Sequence, residues 1–290
     1  MRRTIGLLIP AIFLAACSTI NTPTDPTSPP SSTPTPANTY SYTAVGASDA
    51  IGYGSSSVCF PFDQCPSGKG YVQLIRNRLK DSGKTVSFLN PSVPGGVLSP
   101  EIQAIGNALG RGIPNNFLDN EGPFVARDAN LVTVFAGGND VNTIGAAVDA
   151  GYGGSNVDGY IQARIQGFGR DMKALVGLIK GRAPQARIVV LNLPNLSAMP
   201  YASGYTLLQK RTLQTVAVGF SAQINTLTTD GALVVDLMCD STFYQSNIYS
   251  SDGFHPNDTG YSRMADVVYA PASTGVAPQP KSSCSQMTLY

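Results

Sequence analysis

Residues 131–140 read LVTVFAGGND, a short apolar run that stops at two glycines and two polar residues. The run is rich in β-branched and aromatic residues and is too short for a typical helix, so it predicts a buried β-strand. The glycines mark the point at which the strand ends. In parallel α/β folds, ligands bind beyond the carboxyl ends of the strands, so the polar pair Asn139 and Asp140 becomes a candidate for function.

Similar runs recur along the chain and alternate with amphipathic segments, of which residues 160–179 show the clearest helical spacing. This alternation is typical of a parallel sheet covered by helices on both faces. We therefore predict an α/β fold, a three-layer α/β/α sandwich with a five-stranded parallel sheet. The other predicted strands cover residues 42–45, 86–89, 188–191 and 233–237, and the other predicted helices cover residues 71–79, 99–110, 207–227 and 259–269.

The composition fits one domain of catalytic size and argues against several kinds of partner. The 290 residues are 42% hydrophobic, with 19 Lys and Arg against 18 Asp and Glu. This near-neutral balance provides no basic surface for nucleic acid. One histidine and five cysteines without a C-x-x-C pair cannot easily form a zinc site, and the Walker A and G-x-G-x-x-G patterns are missing. We expect no metal, no cofactor and no nucleic-acid partner.

The first 17 residues are typical of an export signal. Arg2 and Arg3 precede an uncharged apolar run over residues 5–16, which is too short to span a bilayer but suits a secretory signal peptide. The run ends in LAAC, residues 14–17, which resembles the lipobox of bacterial lipoproteins. On this interpretation, Cys17 carries acyl chains that anchor the exported protein to a membrane. An ordinary signal peptide, with Cys17 incidental, is the alternative.

Residues 18–39 form a second compositional region, made mostly of Ser, Thr, Pro and Asn. Such a segment buries too little apolar surface to offset its ordering entropy, so we predict a disordered tether. Residues 40–290 are then expected to form one domain. The protein is expected to be a monomer, lipid-anchored at the bacterial cell envelope.

Four cysteines remain after Cys17, an even number in a chain that we expect to be exported. Four cysteines allow three pairings. We favour Cys59 with Cys65, which closes a short loop, and Cys239 with Cys284, which pins the C-terminal tail to the end of a predicted strand. Free buried thiols are the alternative.

His255 is the single histidine of the chain, so any mechanism with an imidazole base depends on it. Asp252 lies three residues earlier, near enough to bond the imidazole and hold its tautomer. Ser48 directly follows the first predicted strand and is the candidate nucleophile. Plainer interpretations exist, since a lone loop histidine is usually structural and Ser48 could equally cap a helix.

Two further residues could stabilise negative charge on a carbonyl oxygen bound at Ser48. Gly95 offers an unobstructed backbone N–H and Asn139 offers a side-chain amide. The pair Gly95 and Gly96 could instead only form a turn after the second strand, and Gly138 with Asn139 could form a left-handed turn after the third.

Taken in order, four motifs resemble the SGNH, or GDSL-type, hydrolase family: the serine after strand one, the glycine after strand two, Gly-x-Asn-Asp after strand three and Asp-x-x-His before the last helix. The resemblance covers nearly the whole predicted domain. It implies a flavodoxin-like sheet, with Ser48 as nucleophile, His255 as base and Asp252 as its orienting partner. It also implies an oxyanion hole formed by the N–H groups of Ser48 and Gly95 and the Asn139 amide. The family's Gly-Asp-Ser-Leu motif reads Gly-Ala-Ser-Asp at residues 46–49.

The resemblance implies hydrolysis of esters and, in some branches, of thioesters or sugar acetates. We predict a serine esterase that acts on acyl esters through an acyl-enzyme. An α/β-hydrolase is excluded because no Gly-x-Ser-x-Gly elbow occurs. A carbohydrate O-acetyl deacetylase of the same fold and a non-catalytic lipoprotein that binds the envelope are the alternatives.

Apolar loop residues are available to line an acyl pocket, although they could instead simply pack the loops. The residues expected to line it are Phe117, Leu118, Phe124, Phe243, Tyr244, Ile248, Tyr249 and Phe254.

Overall fold

The computed structural model describes residues 39–59 and 65–290. The predicted signal peptide, Cys17 and almost all of the predicted tether lie outside these residues. Thr39, which we assigned to the end of the tether, is the first residue of the first strand.

A five-stranded parallel sheet forms the centre of the described domain, with strand order β2-β1-β3-β4-β5. The predicted α/β fold with helices flanking a five-stranded parallel sheet is confirmed. The order places β3 in the middle of the sheet, which explains why four of its five residues are apolar, since a strand covered on both faces has no side turned to water. The strands are β1 Thr39–Val45, β2 Thr85–Leu89, β3 Leu131–Phe135, β4 Arg187–Leu191 and β5 Leu233–Val235.

Strand β5 is shorter than predicted, because it ends at Val235 and not at Leu237. The Asn192 side chain causes the early end. Its Oδ1 atom accepts hydrogen bonds from the backbone N–H groups of Leu237 at 2.7 Å and Met238 at 3.0 Å. These N–H groups are therefore satisfied by a side chain, and the chain can leave the sheet.

Two groups of helices flank the sheet. Helix α1 packs against α7, whereas α4, α5 and α6 pack against one another. The sequence predicted five of the helices and missed α3 and α4. In the part of the chain that the structure describes, no helix is both long and apolar enough to cross a membrane. The helices are α1 Tyr71–Asp81, α2 Pro100–Ala108, α3 Phe117–Asn120, α4 Gly138–Asp149, α5 Val157–Arg182, α6 Leu207–Asn225 and α7 Asp258–Thr274.

Both predicted disulfides are present. Cys59 is bonded to Cys65 and Cys239 to Cys284, with Cα–Cα distances of 5.7 and 5.8 Å. The second bond joins the segment after β5 to the C-terminal tail. The tail also lies against α6, where the Gln214 side chain accepts hydrogen bonds from the backbone of Leu289 and Tyr290.

We expect the Cys239–Cys284 bond to contribute more stability than the Cys59–Cys65 bond. The two bonds join residues 45 and 6 positions apart, and the longer loop removes more entropy from the unfolded chain. The double substitution Cys239→Ser with Cys284→Ser should lower the free energy of unfolding by about 4 kcal/mol, and the Cys59→Ser, Cys65→Ser pair by about 2 kcal/mol. Urea unfolding of both variants checks this order, and equal losses would contradict the loop-length argument.

Candidate active site

Ser48, His255 and Asp252 form one continuous chain of hydrogen bonds. Ser48 Oγ lies 2.8 Å from His255 Nε2, and His255 Nδ1 lies 2.6 Å from Asp252 Oδ2. The serine begins a short 3₁₀ turn directly after β1, and the other two residues lie in the loop before α7. The fold therefore brings together residues 207 positions apart, in the order that a nucleophile, base and orienting acid require.

The Ser48 side chain does not cap a helix. The cap position of the 3₁₀ turn is Ala47, and no side chain there accepts a capping hydrogen bond. Ser48 is itself nearly buried, with 6% of its surface exposed. Its hydroxyl faces the imidazole, which is the contact that activates a serine.

Asp252 is held by hydrogen bonds on both carboxylate oxygens. Oδ1 accepts from the Phe254 N–H at 2.8 Å, the His255 N–H at 2.9 Å and the Ser250 hydroxyl at 2.8 Å. Burial alone would raise the Asp252 pKa, but the bonds from the His255 side chain and the neighbouring donors outweigh it and lower the pKa to about 2. The carboxylate is thus ionised at neutral pH and can hold the His255 tautomer with Nε2 facing Ser48.

Aromatic rings fix the position of the imidazole. The Tyr53 and Phe254 rings lie 4.7 and 4.9 Å from the His255 ring, centroid to centroid. Gly54 allows this close approach, since a Cβ atom there would lie 2.8 Å from the His255 Cβ, and its φ of 90° also favours glycine. Tyr53 could not be predicted from the sequence, because no local pattern links it to a residue two hundred positions away.

Asn139 lies in the first turn of α4, and the left-handed residue before it is Gly137, with φ 114°. The alternative of a left-handed turn at Gly138 and Asn139 is therefore wrong. One N–H of the Asn139 amide donates to the Gly96 carbonyl at 2.9 Å. This bond orients the amide and leaves its second N–H for another acceptor.

In the loop after β2, the backbone N–H groups of Gly95 and Gly96 differ in whether they already donate a hydrogen bond. The Gly96 N–H donates to the Val93 carbonyl at 3.0 Å, so it is already used. The Gly95 N–H donates to no acceptor within the described residues. Of the two, only Gly95 has a free backbone donor.

A largely apolar cavity opens beside Ala47, Gly96 and Asn139. Four of the eight predicted pocket residues line it: Phe117, Phe243, Tyr249 and Phe254. The other four, Leu118, Phe124, Tyr244 and Ile248, do not. Phe124 points to solvent, and the Tyr244 hydroxyl is engaged with the Met238 carbonyl. Most of the remaining wall comes from the ends of β3, β4 and β5 and from α7, through Phe135, Leu193, Leu196, Met199, Leu237 and Met264.

Asp140 supports the turn that carries Asn139. Its Oδ1 atom accepts the Leu98 N–H at 3.0 Å and thereby joins α4 to the loop before α2. Burial raises the Asp140 pKa to about 7, although the Leu98 bond opposes this. The sequence placed Asp140 near the site because it follows Asn139 directly. The hydrogen bond between Asp140 and Leu98 could not be predicted from the sequence.

Asp140 and Glu121 should make the protein less stable as the pH rises. Burial raises their pKa values from 3.8 to about 7 and from 4.5 to about 8. Between the ordinary and the raised values the folded state binds more protons than the unfolded chain, so the free energy of unfolding falls with increasing pH. We expect the melting temperature to decrease from about pH 5 to about pH 8, with a shallower slope in Asp140→Asn. A melting temperature that rises over this range would contradict the argument.

Within residues 39–59 and 65–290, no group of three or more His, Cys, Asp or Glu side chains is placed to hold a metal ion.

Comparison with known sequences identifies the family of the chain. The model of the GDSL-like lipase/acylhydrolase family matches residues 44–263, a span that contains all five candidate residues of the site. The chain belongs to this family and is a hydrolase of ester bonds. No curated protein sequence matches it significantly.

Solved structures of the same fold include three esterases. A lipase from a goat rumen metagenome is 18% identical, with 80% of this chain and 96% of that chain covered and a TM-score of 0.54. A phospholipase A1 from Streptomyces albidoflavus is 17% identical over 80% of this chain and 98% of that one, with a TM-score of 0.52. An acetyl xylan esterase from Geobacillus stearothermophilus is 14% identical over 82% of this chain and 97% of that one, with a TM-score of 0.51. At these identities the likeness extends to the fold alone.

Proposed function

We propose that the protein is a serine esterase that cleaves carboxylic esters through an acyl-enzyme, with Ser48 as nucleophile, His255 as base and Asp252 as its orienting partner. The observation that carries the proposal is the unbroken path from Ser48 Oγ to His255 Nε2, at 2.8 Å, and from His255 Nδ1 to Asp252, at 2.6 Å. A non-catalytic binding protein would not need this alignment.

The geometry supports a two-step reaction. Ser48 Oγ attacks the carbonyl carbon while its proton passes to His255 Nε2, and ionised Asp252 stabilises the imidazolium. Collapse of the tetrahedral intermediate expels the alcohol, which takes its proton from His255. Water, deprotonated by the same imidazole, then attacks the acyl-enzyme and releases the carboxylic acid with Ser48 restored.

Three donors are available for the negative charge that develops on the carbonyl oxygen. We assign them as the backbone N–H groups of Ser48 and Gly95 and the second N–H of the Asn139 amide. The free Gly95 N–H and the oriented Asn139 amide support this assignment. Donors fixed before the reaction are effective because they need not reorganise in the transition state.

The cavity beside these donors indicates a short acyl group. Its volume is about 50 Å³, room for about four water molecules at ~10–15 Å³ each. An acetyl to butyryl chain fits this space, whereas an octanoyl chain must extend beyond it. Hydrolysis of p-nitrophenyl acetate, butyrate and octanoate by the purified protein tests both the activity and the chain length. The absence of turnover on every ester, together with no labelling of Ser48 by a fluorophosphonate, would contradict the proposal.

Enlarging the cavity should shift the chain-length preference. Met199 lines the cavity and is 6% exposed, so Met199→Ala lengthens the available space. We expect the octanoate-to-butyrate ratio of kcat/KM to rise about tenfold or more, since one methylene in an apolar pocket is worth about 1–3 kcal/mol. Met172→Ala is the matched control, because Met172 is buried in α5 and does not line the cavity. A similar shift in both variants would contradict a role of this cavity in acyl binding.

The small cavity also suits an acetyl group, so a carbohydrate O-acetyl deacetylase is the second candidate. Acetate release from acetylated glycans, compared with turnover of the p-nitrophenyl series, separates the two. A deacetylase should release glycan acetate with a much larger kcat/KM than it shows for p-nitrophenyl butyrate.

We also propose that the protein is exported and held at the bacterial cell envelope through lipidated Cys17. The lipobox-like LAAC sequence at residues 14–17 and the two disulfides of the domain support this location. Cys17→Ser should move the protein from the membrane fraction to the soluble fraction and abolish incorporation of a labelled fatty acid. Unchanged membrane association of Cys17→Ser would overturn the anchor.

A further inference from the structure

Glu121 is fully buried and links the loop that carries Ser48 to the segment that packs behind Gly95 and Gly96. Its Oε2 atom accepts the backbone N–H of Gly46 at 2.9 Å, two residues before Ser48. The Asn115 side chain donates to the other carboxyl oxygen, and the Asn115 backbone carbonyl accepts the N–H of Val97, two residues after Gly95, at 3.3 Å. Glu121 therefore bonds directly to the turn that carries Ser48 and reaches the loop that carries Gly95 through Asn115.

The second carboxyl oxygen fixes the orientation of Glu121 itself. Oε1 accepts a hydrogen bond from the Asn115 side chain at 3.0 Å. Burial of an acidic group is unfavourable and raises the Glu121 pKa to about 8, although the bonds from Gly46 and Asn115 oppose this. An apolar side chain could fill the same volume without that penalty, but it could not hold these N–H groups.

The two loops need a link of this kind because the sheet no longer joins them. The pairing of β1 with β2 ends at Thr43 and Leu89, so Gly46 and Gly95 lie beyond the last paired residues. Among the described residues, one other hydrogen bond joins these loops, from the Asn90 side chain to the Ala50 carbonyl at 2.9 Å. Glu121 provides a second connection between the loops, which begins at the Gly46 N–H.

We propose that Glu121 is a positioning residue that sets the distance between the Ser48 N–H and the Gly95 N–H, so that both converge on the same oxygen. The inference rests on the proposed serine esterase function. Glu121 touches no reacting atom and acts directly on the Gly46 turn and, through Asn115, on the loop that carries Gly95. Donors of an oxyanion hole must lie within about 2.7–3.1 Å of the oxygen. A small relative shift of the loops therefore weakens binding of the transition state more than binding of the substrate.

Glu121→Gln tests the proposal in the full chain. Glutamine keeps the shape, but its amide nitrogen cannot accept a hydrogen bond, so one of the N–H groups of Gly46 and Asn115 loses its acceptor whichever way the amide is turned. We expect kcat on p-nitrophenyl butyrate to fall about 30- to 100-fold with KM within about twofold of the parent, since a misplacement of about 1 Å can cost 10² in rate. A trifluoromethyl ketone, whose adduct with the serine mimics the oxyanion, should bind more weakly by the same factor.

Two further variants separate positioning from simple destabilisation. Leu79→Ala removes a buried side chain of α1 at the opposite end of the sheet and should lower the melting temperature while kcat stays at the parent value. Glu121→Asp shortens the side chain by one methylene, so it cannot reach Gly46 and Asn115 together, and it should reproduce the fall in kcat if Glu121→Gln does not fold.

A parent-like kcat and inhibitor affinity in a folded Glu121 variant would overturn the inference and leave the esterase proposal intact. A loss of stability with kcat and inhibitor affinity unchanged would likewise assign Glu121 a structural role only. If the parent shows neither turnover nor labelling of Ser48, the proposed function itself fails and this inference with it.

Discussion

Turnover of p-nitrophenyl esters is expected to fall by a factor on the order of 10⁴ to 10⁶ when Ser48 is replaced with alanine, and by a similar factor in His255→Ala. The reason is that the two residues act as a unit. Without the Ser48 hydroxyl no acyl-enzyme forms, and without the imidazole, 2.8 Å away, the hydroxyl keeps its proton. The residual activity should come from the oxyanion donors and from the binding of the substrate alone.

Ser92→Ala is the matched control for this experiment. Ser92 is also a buried serine close to the site, but its hydroxyl has no hydrogen-bond partner in the described part of the chain. Its removal should leave kcat near the parent value. The double variant Ser48→Ala, His255→Ala should be no slower than either single variant, because each already abolishes the same step. Turnover that survives Ser48→Ala at the parent rate would show that another group is the nucleophile.

Asn139→Ala is expected to lower kcat by a factor on the order of 10²–10³ with KM little changed, the usual effect of losing one oxyanion donor. Its amide is oriented by the bond to the Gly96 carbonyl at 2.9 Å and needs no rearrangement to donate its second N–H. The effect should lie in kcat because the developing oxyanion, and not the ground-state carbonyl, is the group that the amide recognises.

Asn142→Ala provides the comparison for Asn139. Asn142 lies on the same helix, α4, and its side chain accepts a hydrogen bond from the Tyr201 hydroxyl at 2.9 Å. Its loss should alter stability more than kcat. Equal kcat values for the parent and Asn139→Ala would remove Asn139 from the oxyanion hole, whereas an increase in KM alone would place it in substrate binding.

The sequence was most informative where the physical signal is local. Each central strand is an apolar run that ends at turn residues, and the candidate site residues follow these runs directly, so strand pattern and site position were predicted together. Helix α4 was missed because it begins with Gly138, Asn139 and Asp140, a glycine followed by two polar residues that resemble a turn. The bond from the Val141 N–H to the Gly137 carbonyl starts the helix there.

Contacts between distant segments were beyond the reach of the sequence. The cavity wall combines Leu193, Leu237 and Met264, which follow β4, follow β5 and lie in α7. Glu121 lies in an irregular segment without apolar periodicity, and its importance depends on Gly46, 75 positions away. Such contacts depend on the packing of loops, for which a single sequence carries no periodic signal.

The most direct test of the account is the reaction of the purified protein with a fluorophosphonate, with the modified residue located by peptide mass spectrometry. An activated serine beside an imidazole reacts, whereas an ordinary surface serine does not. We expect one label per chain, on Ser48, with loss of turnover in proportion to labelling and much slower labelling of His255→Ala. Labelling at a different serine, or an unlabelled Ser48 in a protein that still hydrolyses esters, would contradict the assignment of Ser48, His255 and Asp252 as the catalytic residues.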